Sequence, residues 1–109
     1  MSKKEIYGST DSNSININFN TIKKFNLLQN YPNPFNPSTI IRFEIPTESQ
    51  VSIKIYNVIG KEVAELLNEK REAGSYEISF NAGNLTSGLY IYKITAGNFI
   101  FSRKMMLIK

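Results

Sequence analysis

Three segments of this chain alternate apolar and polar side chains, and this alternation is typical of β-strands with one buried face. The segments are residues 39–45 (TIIRFEI), 51–57 (VSIKIYN) and 75–81 (SYEISFN). Because successive side chains of a strand point to opposite faces, every second residue is expected in the core. The core candidates are Ile41, Phe43, Ile45, Val51, Ile53, Ile55, Tyr76, Ile78 and Phe80.

A proline-rich segment precedes the first of these strands. Residues 31–37 (YPNPFNP) hold three of the chain's four prolines and follow a further strand signal in residues 25–31 (FNLLQNY). Each proline fixes its own φ and favours an extended conformation at the residue before it. Asn33 and Asn36 are therefore expected to be extended or in turns, and the segment is predicted to be stiff and non-helical.

Residues 57–72 fit two structures. Val63, Leu66 and Leu67 have the spacing of a helix face, and they also fit a short strand. Gly60 suits the left-handed position of a hairpin loop, after which residues 61–67 (KEVAELL) would pair with the preceding strand. The residues alone leave both structures open.

The C-terminal part is predicted to be a β-hairpin. Gly97-Asn98 is a two-residue loop with glycine first, as a type II′ turn requires. The last strand, which follows this loop, is apolar on both faces, so it is expected either to be covered on both sides or to be held for a partner. The apolar residues are Phe99, Phe101, Met105 and Leu107 on one face and Ile100, Met106 and Ile108 on the other.

Residues 85–90 (LTSGLY) predict a tyrosine corner of the immunoglobulin-like type. Gly88 permits a tight corner, and the Tyr90 hydroxyl can bond back to the corner's backbone. About seven short strands separated by proline and glycine, with no clear helix, predict an all-β fold, an antiparallel immunoglobulin-like β-sandwich.

The length of 109 residues suits one domain. Residues 1–24 are rich in Ser, Asn and Thr and are interpreted as a linker or disordered arm, whereas residues 25–109 form the predicted domain. A short edge strand is the alternative where Ile15, Ile17 and Phe19 alternate with Asn. No apolar run is long enough to cross a bilayer, and the N-terminus lacks the apolar core of a secretory signal peptide.

The residue types present argue against catalysis. The chain has no His, no Cys and no Trp, which excludes an imidazole base, a thiolate nucleophile and the usual zinc ligands. Glutamates in residues 62–72 alternate with basic residues, as on a solvated mixed-charge face, and Asp11 is isolated in the arm. We therefore predict no enzyme activity, no metal and no cofactor.

Nucleic acid is also not expected as a partner. Aromatic and basic side chains do lie near each other on the last two predicted strands, as on a stacking platform. However, aromatic residues at alternating strand positions are more often core residues, and the net charge is only +4.

Three short strings resemble the type IX secretion system C-terminal sorting domain (type A). They are residues 31–35 (YPNPF), 87–90 (SGLY) and 103–109 (RKMMLIK), in that order, and the resemblance covers residues 25–109. Carried over by this resemblance, the recognition-motif positions are Pro32, Asn33, Pro34, Gly88, Tyr90, Arg103, Lys104 and Lys109.

The resemblance implies a seven-stranded sandwich attached to the C-terminus of secreted cargo in Gram-negative bacteria. It implies passage through the periplasm, recognition by outer-membrane translocon or shuttle proteins, and removal by a sortase-like protease, with the cargo released or kept at the cell surface. It also favours the strand over the helix in residues 57–72. The chain lacks cargo and an export signal and begins Met-Ser-Lys-Lys, so it is expected to be an excised fragment.

The hypothesis from these features is that the terminal hairpin, residues 88–109, presents the surface that the secretion machinery binds. Lys104 and Lys109 would direct it toward an acidic partner, and the apolar last strand could also support self-association. One alternative is a structural or adhesive immunoglobulin-like module, as in flagellar hook-capping proteins. Another is a carbohydrate-binding sandwich with Tyr56, Tyr90 and Tyr92 as its exposed aromatics.

Overall fold

The computed structural model describes residues 22–109, and these residues form seven β-strands and no helix. Accordingly, no helix in this range is long and apolar enough to cross a membrane. The tentative edge strand at Ile15, Ile17 and Phe19 lies outside the described residues. The strands are β1 (Asn26–Leu27), β2 (Ser38–Ile45), β3 (Ser49–Tyr56), β4 (Glu62–Arg71), β5 (Gly74–Asn81), β6 (Gly88–Ala96) and β7 (Phe99–Leu107).

The strands form two antiparallel sheets. One has the order β1-β2-β5 and the other the order β4-β3-β6-β7. A single cluster of buried side chains joins them, with Phe43 from the first sheet and Ile53 and Tyr92 from the second. The predicted all-β sandwich is therefore confirmed.

The alternation in the sequence places the core correctly. The inward side chains of β2 and β3, from Ile41 to Ile55, are 0% exposed. On β5, Phe80 is buried, whereas Tyr76 and Ile78 are half-buried because β5 is at the edge of its sheet. Since a fully buried aliphatic or aromatic side chain contributes about 1.5–3 kcal/mol, these strand faces supply a large part of the driving force for folding.

Residues 57–72 form a tight turn and then strand β4, which settles the ambiguity in favour of the strand. Asn57 builds the turn by accepting hydrogen bonds from the N–H groups of Ile59 and Lys61, and Gly60 has the predicted positive φ of 83°. The β3–β4 register shifts twice, leaving Val63 and Leu66 without a directly paired residue. These bulges place apolar residues at irregular intervals, which explains the helix-like spacing.

The C-terminal hairpin and the tyrosine corner also form as predicted. Ala96 pairs with Phe99 across a two-residue loop in which Gly97 has a φ of 60°. The Tyr90 hydroxyl donates a 2.7 Å hydrogen bond to the carbonyl of Thr86, and the Tyr90 side chain is 5% exposed. The corner therefore fixes the start of β6 against the loop before it.

The chain before β2 crosses from one sheet to the other. Strand β1 is much shorter than the predicted strand in residues 25–31, because the Asn30 N–H donates to the Tyr92 hydroxyl instead of to β2. Tyr31 returns briefly to β2 through two backbone hydrogen bonds with Ile40. The proline-rich residues then reach β7, where Phe35 pairs with Leu107 in parallel orientation.

Candidate recognition surface

The three motif strings, far apart in sequence, meet around the second half of β7. Residues 31–35 lie along the edge of β7 that faces away from β6, and residues 87–90 begin β6 on its other side. Gly88 pairs with Leu107, and Tyr90 pairs with Met105. The structure therefore brings the motif segments together, although the sequence offered them only as separate strings.

The proline segment binds the backbone of β7 directly. Phe35 donates its N–H to the Met106 carbonyl at 2.9 Å and accepts from the Ile108 N–H at 3.0 Å. The Asn33 side-chain carbonyl accepts from the Met106 N–H at 2.9 Å. Further up the strand, the Gln29 amide donates to the Lys104 carbonyl at 2.8 Å. Residues 29–35 thus cover this part of an edge that would otherwise expose unpaired backbone groups.

A buried polar network holds the proline segment in place. Asn30 and Thr39 are 2% and 1% exposed. The Thr39 hydroxyl donates to the Pro32 carbonyl at 2.8 Å, and the Asn30 amide donates to the same carbonyl at 3.1 Å and to the Thr39 hydroxyl at 3.0 Å. Because unpaired buried polar groups are costly, this mutual satisfaction selects one path for the segment.

Tyr92 links this network to β6. Its side chain is 0% exposed, and its hydroxyl accepts from the Asn30 N–H at 2.8 Å and donates to the Leu28 carbonyl at 2.7 Å. Burial raises the pKa of Tyr92 above its ordinary value, although the Asn30 hydrogen bond and the Arg103 charge lower it in part. The phenol therefore stays neutral at physiological pH and can both donate and accept.

The C-terminal residues are fastened to the corner loop. The Lys109 N–H donates to the Ser87 hydroxyl at 2.9 Å, and the Lys109 ammonium donates to the Gly83 carbonyl at 2.6 Å. At the start of β6 in the same corner, Gly88 has a backbone φ of 154°, which residues other than glycine rarely adopt. Lys109 is therefore engaged within the domain.

Arg103 and Lys104 point to opposite faces of β7. The half-buried Arg103 donates from its Nε to the Leu27 carbonyl, and its guanidinium lies 5.3 Å from the centre of the Phe101 ring. Lys104 is exposed on the outer face, beside its cross-strand partner Ile91. Of these two motif residues, Lys104 is the one that presents its charge to solvent.

The outer face of the β6–β7 hairpin combines exposed apolar groups with positive charge. Ile100, Met106 and Ile108 are 64%, 37% and 53% exposed. Further across the same sheet, a hydrogen bond to Glu62, 3.4 Å away, raises the pKa of Lys54, so that lysine is paired with an acid. Among the seven strands, the exposed large apolar side chains are those of β7, and a second exposed apolar pair, Val58 and Ile59 at 67% and 82%, lies in the turn before β4.

Sequence reasoning did not identify Gln29, Asn30, Thr39 and Tyr92 as parts of the site. The available signal was a pair of adjacent amide residues, Gln29 and Asn30, between Leu28 and Tyr31 and just before the first proline. A polar residue at such a position has to find hydrogen-bond partners when the stretch is buried. Its partner Tyr92 lies 62 residues away from Asn30, which local patterns cannot reveal.

These features define a β-sandwich whose most distinctive surface is a braced, apolar and basic strand. Within residues 22–109, no cluster of acidic side chains is arranged to hold a metal ion. The carbohydrate-binding alternative required exposed aromatic side chains, but Tyr90 and Tyr92 are only 5% and 0% exposed.

Residues 29–109 match the model of the family described as the secretion system C-terminal sorting domain, and the chain belongs to this family. It is a C-terminal signal domain of type IX secretion, and domains of this family mark secreted or cell-surface proteins and are not an enzyme family. Comparison with curated proteins and with solved structures gave no match. The family match spans all three motif strings.

Proposed function

We propose that the type IX machinery recognises this domain through the outer face of the β6–β7 hairpin. The observation that supports the proposal is the row of exposed apolar side chains on β7 and directly after it, namely Ile100, Met106 and Ile108, with Lys104 among them. A soluble domain rarely leaves such a row open unless another molecule covers it. In this proposal the partner is an outer-membrane translocon or shuttle protein, and the sorting role of the family supports this choice.

The basic residues of the C-terminal part favour a partner with a negatively charged surface. After Glu77 the chain has no acidic side chain, while Lys93, Arg103, Lys104 and Lys109 follow. Lys93 lies on the same outer face, 5.4 Å from the centre of the Tyr56 ring. A partner with carboxylates opposite β7 would associate faster and in one orientation.

The motif residues have two different roles in this proposal. Asn33, Tyr90 and Lys109 are positioning residues, because their side chains bind backbone groups of the domain itself. Gly88 has a positioning role as the first residue of β6. Pro32 and Pro34 set the path of the covering segment, and Arg103 ties β7 to β1. Lys104 contacts the partner.

The remaining parts of the chain have connecting roles in this proposal. Residues 1–24 join the cargo to the folded domain, residues 25–109, and a sortase-like protease cleaves upstream of the sandwich. The domain itself performs no catalysis and needs no cofactor. Its cargo passes through the periplasm to the cell surface or the medium.

A charge reversal with a matched control tests the recognition face. A reporter is fused in front of residues 1–109 and produced in a bacterium with a type IX system, carrying either Lys104→Glu or Lys70→Glu. Both lysines are exposed on the sheet that contains β7, but Lys70 is on β4 at the opposite edge. We expect Lys104→Glu to lower the secreted reporter about tenfold and Lys70→Glu to leave it unchanged.

The outcome is informative only for folded variants, which thermal unfolding of the purified domains establishes. Deleting residues 99–109 is a poorer test, because it removes Met105 and Leu107, both 0% exposed, and with them part of the core. Equal secretion of both folded charge variants would show that the secretion machinery does not recognise the outer face of β7.

A further inference from the structure

Within residues 22–109, hydrogen-bond partners lie along only the second half of the free edge of β7. The backbone groups of Met106 and Ile108 that point away from β6 bind Asn33 and Phe35, and the Lys104 carbonyl binds Gln29. The pairing of β7 with β6 is continuous from Phe99 to Leu107. In such a ladder, alternate residues direct their N–H and C=O groups to opposite sides.

The same alternation directs the backbone groups of Ile100 and Ser102 away from β6. Neither residue has a hydrogen-bond partner on that side among residues 22–109. Their side chains are exposed on the outer face, and Phe101 between them is 43% exposed. Residues 99–102 (FIFS) therefore form a short, uncharged and unpaired edge.

The other edge of the same sheet is protected in the usual ways. Strand β4 carries charged side chains along its length, including Glu62, Glu69 and Arg71, and contains two register shifts. Charges and bulges on an edge strand prevent pairing with other chains. The first half of β7 has neither feature, although it lies beside the proposed recognition face.

We infer that residues 99–102 accept an extended segment of a protein of the secretion machinery, which adds to the sheet as a further strand. The inference rests on the proposed function and names its binding mode. The domain already uses this mode on itself, since Phe35 pairs with the next part of the same edge. Main-chain hydrogen bonds to Ile100 and Ser102 provide affinity, and the nearby exposed Lys104 selects a segment that carries carboxylates.

A proline at residue 102 tests the edge without removing a side chain of the core. Proline is tolerated in edge strands where its missing N–H faces outward, and Ser102→Pro removes such an outward donor. Ser102→Thr keeps the donor and is the matched control. In the reporter assay we expect Ser102→Pro to lower secretion about tenfold relative to Ser102→Thr.

The assay separates this inference from the proposed function. Normal secretion of a folded Ser102→Pro variant, together with loss for Lys104→Glu, would overturn strand addition and leave the recognition face standing. Normal secretion of both variants would overturn both. If Ser102→Pro fails to fold, Ile100→Pro against Ile100→Val repeats the comparison at the other outward position, because Val keeps both the backbone donor and an apolar side chain.

Amide hydrogen exchange on the purified chain provides a second readout. We expect the Ile100 and Ser102 amides to exchange rapidly and those of Met106 and Ile108 to be protected. Protection of Ile100 and Ser102 that disappears when residues 1–21 are removed would show that this chain covers its own edge. If protection of the Ile100 and Ser102 amides increased with protein concentration, and sedimentation showed a dimer, the edge would be covered by a second copy of the chain. Either result would overturn the inference.

Discussion

At the residue scale, polar side chains decide where the proline segment lies. Apolar burial alone could hold a segment against β7 in several registers, whereas the hydrogen bonds of Asn30 and Thr39 to Pro32 are met in one arrangement. Tyr92 connects that arrangement to the opposite sheet. Substitutions in this network are therefore expected to affect the recognition surface indirectly, through its support.

Replacing Tyr92 with Phe is expected to destabilise the domain by about 1–3 kcal/mol. The substitution leaves the Asn30 N–H and the Leu28 carbonyl without their partner in a buried region. Urea unfolding measures the loss, and Tyr31→Phe is the control because the Tyr31 side chain is 70% exposed. Equal stability of the two variants would contradict the proposed bracing role.

The raised pKa of Tyr92 also predicts a dependence on alkaline pH. The folded state favours the neutral phenol, so this contribution is complete below the ordinary tyrosine pKa of about 10 and is lost as the pH rises through the folded-state pKa. The difference in unfolding free energy between wild type and Tyr92→Phe should therefore shrink as the pH rises above about 10. A difference that stays constant as the pH rises through and beyond that value would argue against this linkage.

At the element scale, local patterns were enough to predict the strands but not all of their lengths. The alternation in β2, β3 and β5 fixes which side chains are buried, because each strand packs one face on the core. In β4 the two bulges break the period, so its residues fit a helix equally well until the pairing with β3 is known. Strand β1 ends early because of Tyr92, which belongs to a distant strand.

The last two residues are predicted to stabilise the end of β7 through their hydrogen bonds to the proline segment and the corner loop. Deleting residues 108–109 removes the hydrogen bonds of Ile108 to Phe35 and of Lys109 to Ser87 and Gly83, while β7 itself ends at Leu107. We expect a loss of about 1–3 kcal/mol in unfolding free energy without loss of the fold. Circular dichroism and urea unfolding would measure this.

A single substitution provides the control for the deletion of residues 108–109. Lys109→Met keeps the backbone bonds and removes only the ammonium contact with Gly83. It should cost less than the deletion. An unfolded deletion variant, or one as stable as the full chain, would disagree with the contacts described.

At the scale of the whole molecule, the folded unit extends upstream of the family match. The match begins at residue 29, but Leu27 is 0% exposed and Phe25 stacks on Phe99 with ring centres 5.1 Å apart. These contacts connect the first described residues to both sheets. They agree with the predicted domain of residues 25–109, which remains a proposal.

Two fragments test this boundary. A fragment of residues 25–109 should match the full chain in unfolding free energy to within about 0.5 kcal/mol. A fragment of residues 29–109 loses Leu27 and should be less stable by about 2–5 kcal/mol. Thermal and urea unfolding decide between the fragments, and a large loss in the first would move the boundary into residues 1–24.

The recognition surface was less accessible to sequence reasoning than the fold. The strings around Pro32, Gly88 and Lys104 were recognised through resemblance, and nothing in their spacing shows that they meet. Their meeting depends on strand order and register, which place Gly88 opposite Leu107 and Asn33 beside Met106. Lys109 looked like a free charge for a partner in the sequence, but its ammonium binds Gly83.

The bond between Asn33 and Met106 joins residues 73 positions apart, at the two ends of the sandwich sequence. Translation runs from the N-terminus, so Asn33 is synthesised before Met106. A truncated product that ends before β7 contains Phe35 but lacks the strand edge that Phe35 binds. Under the proposed function, such a product would lack the surface that the secretion machinery recognises.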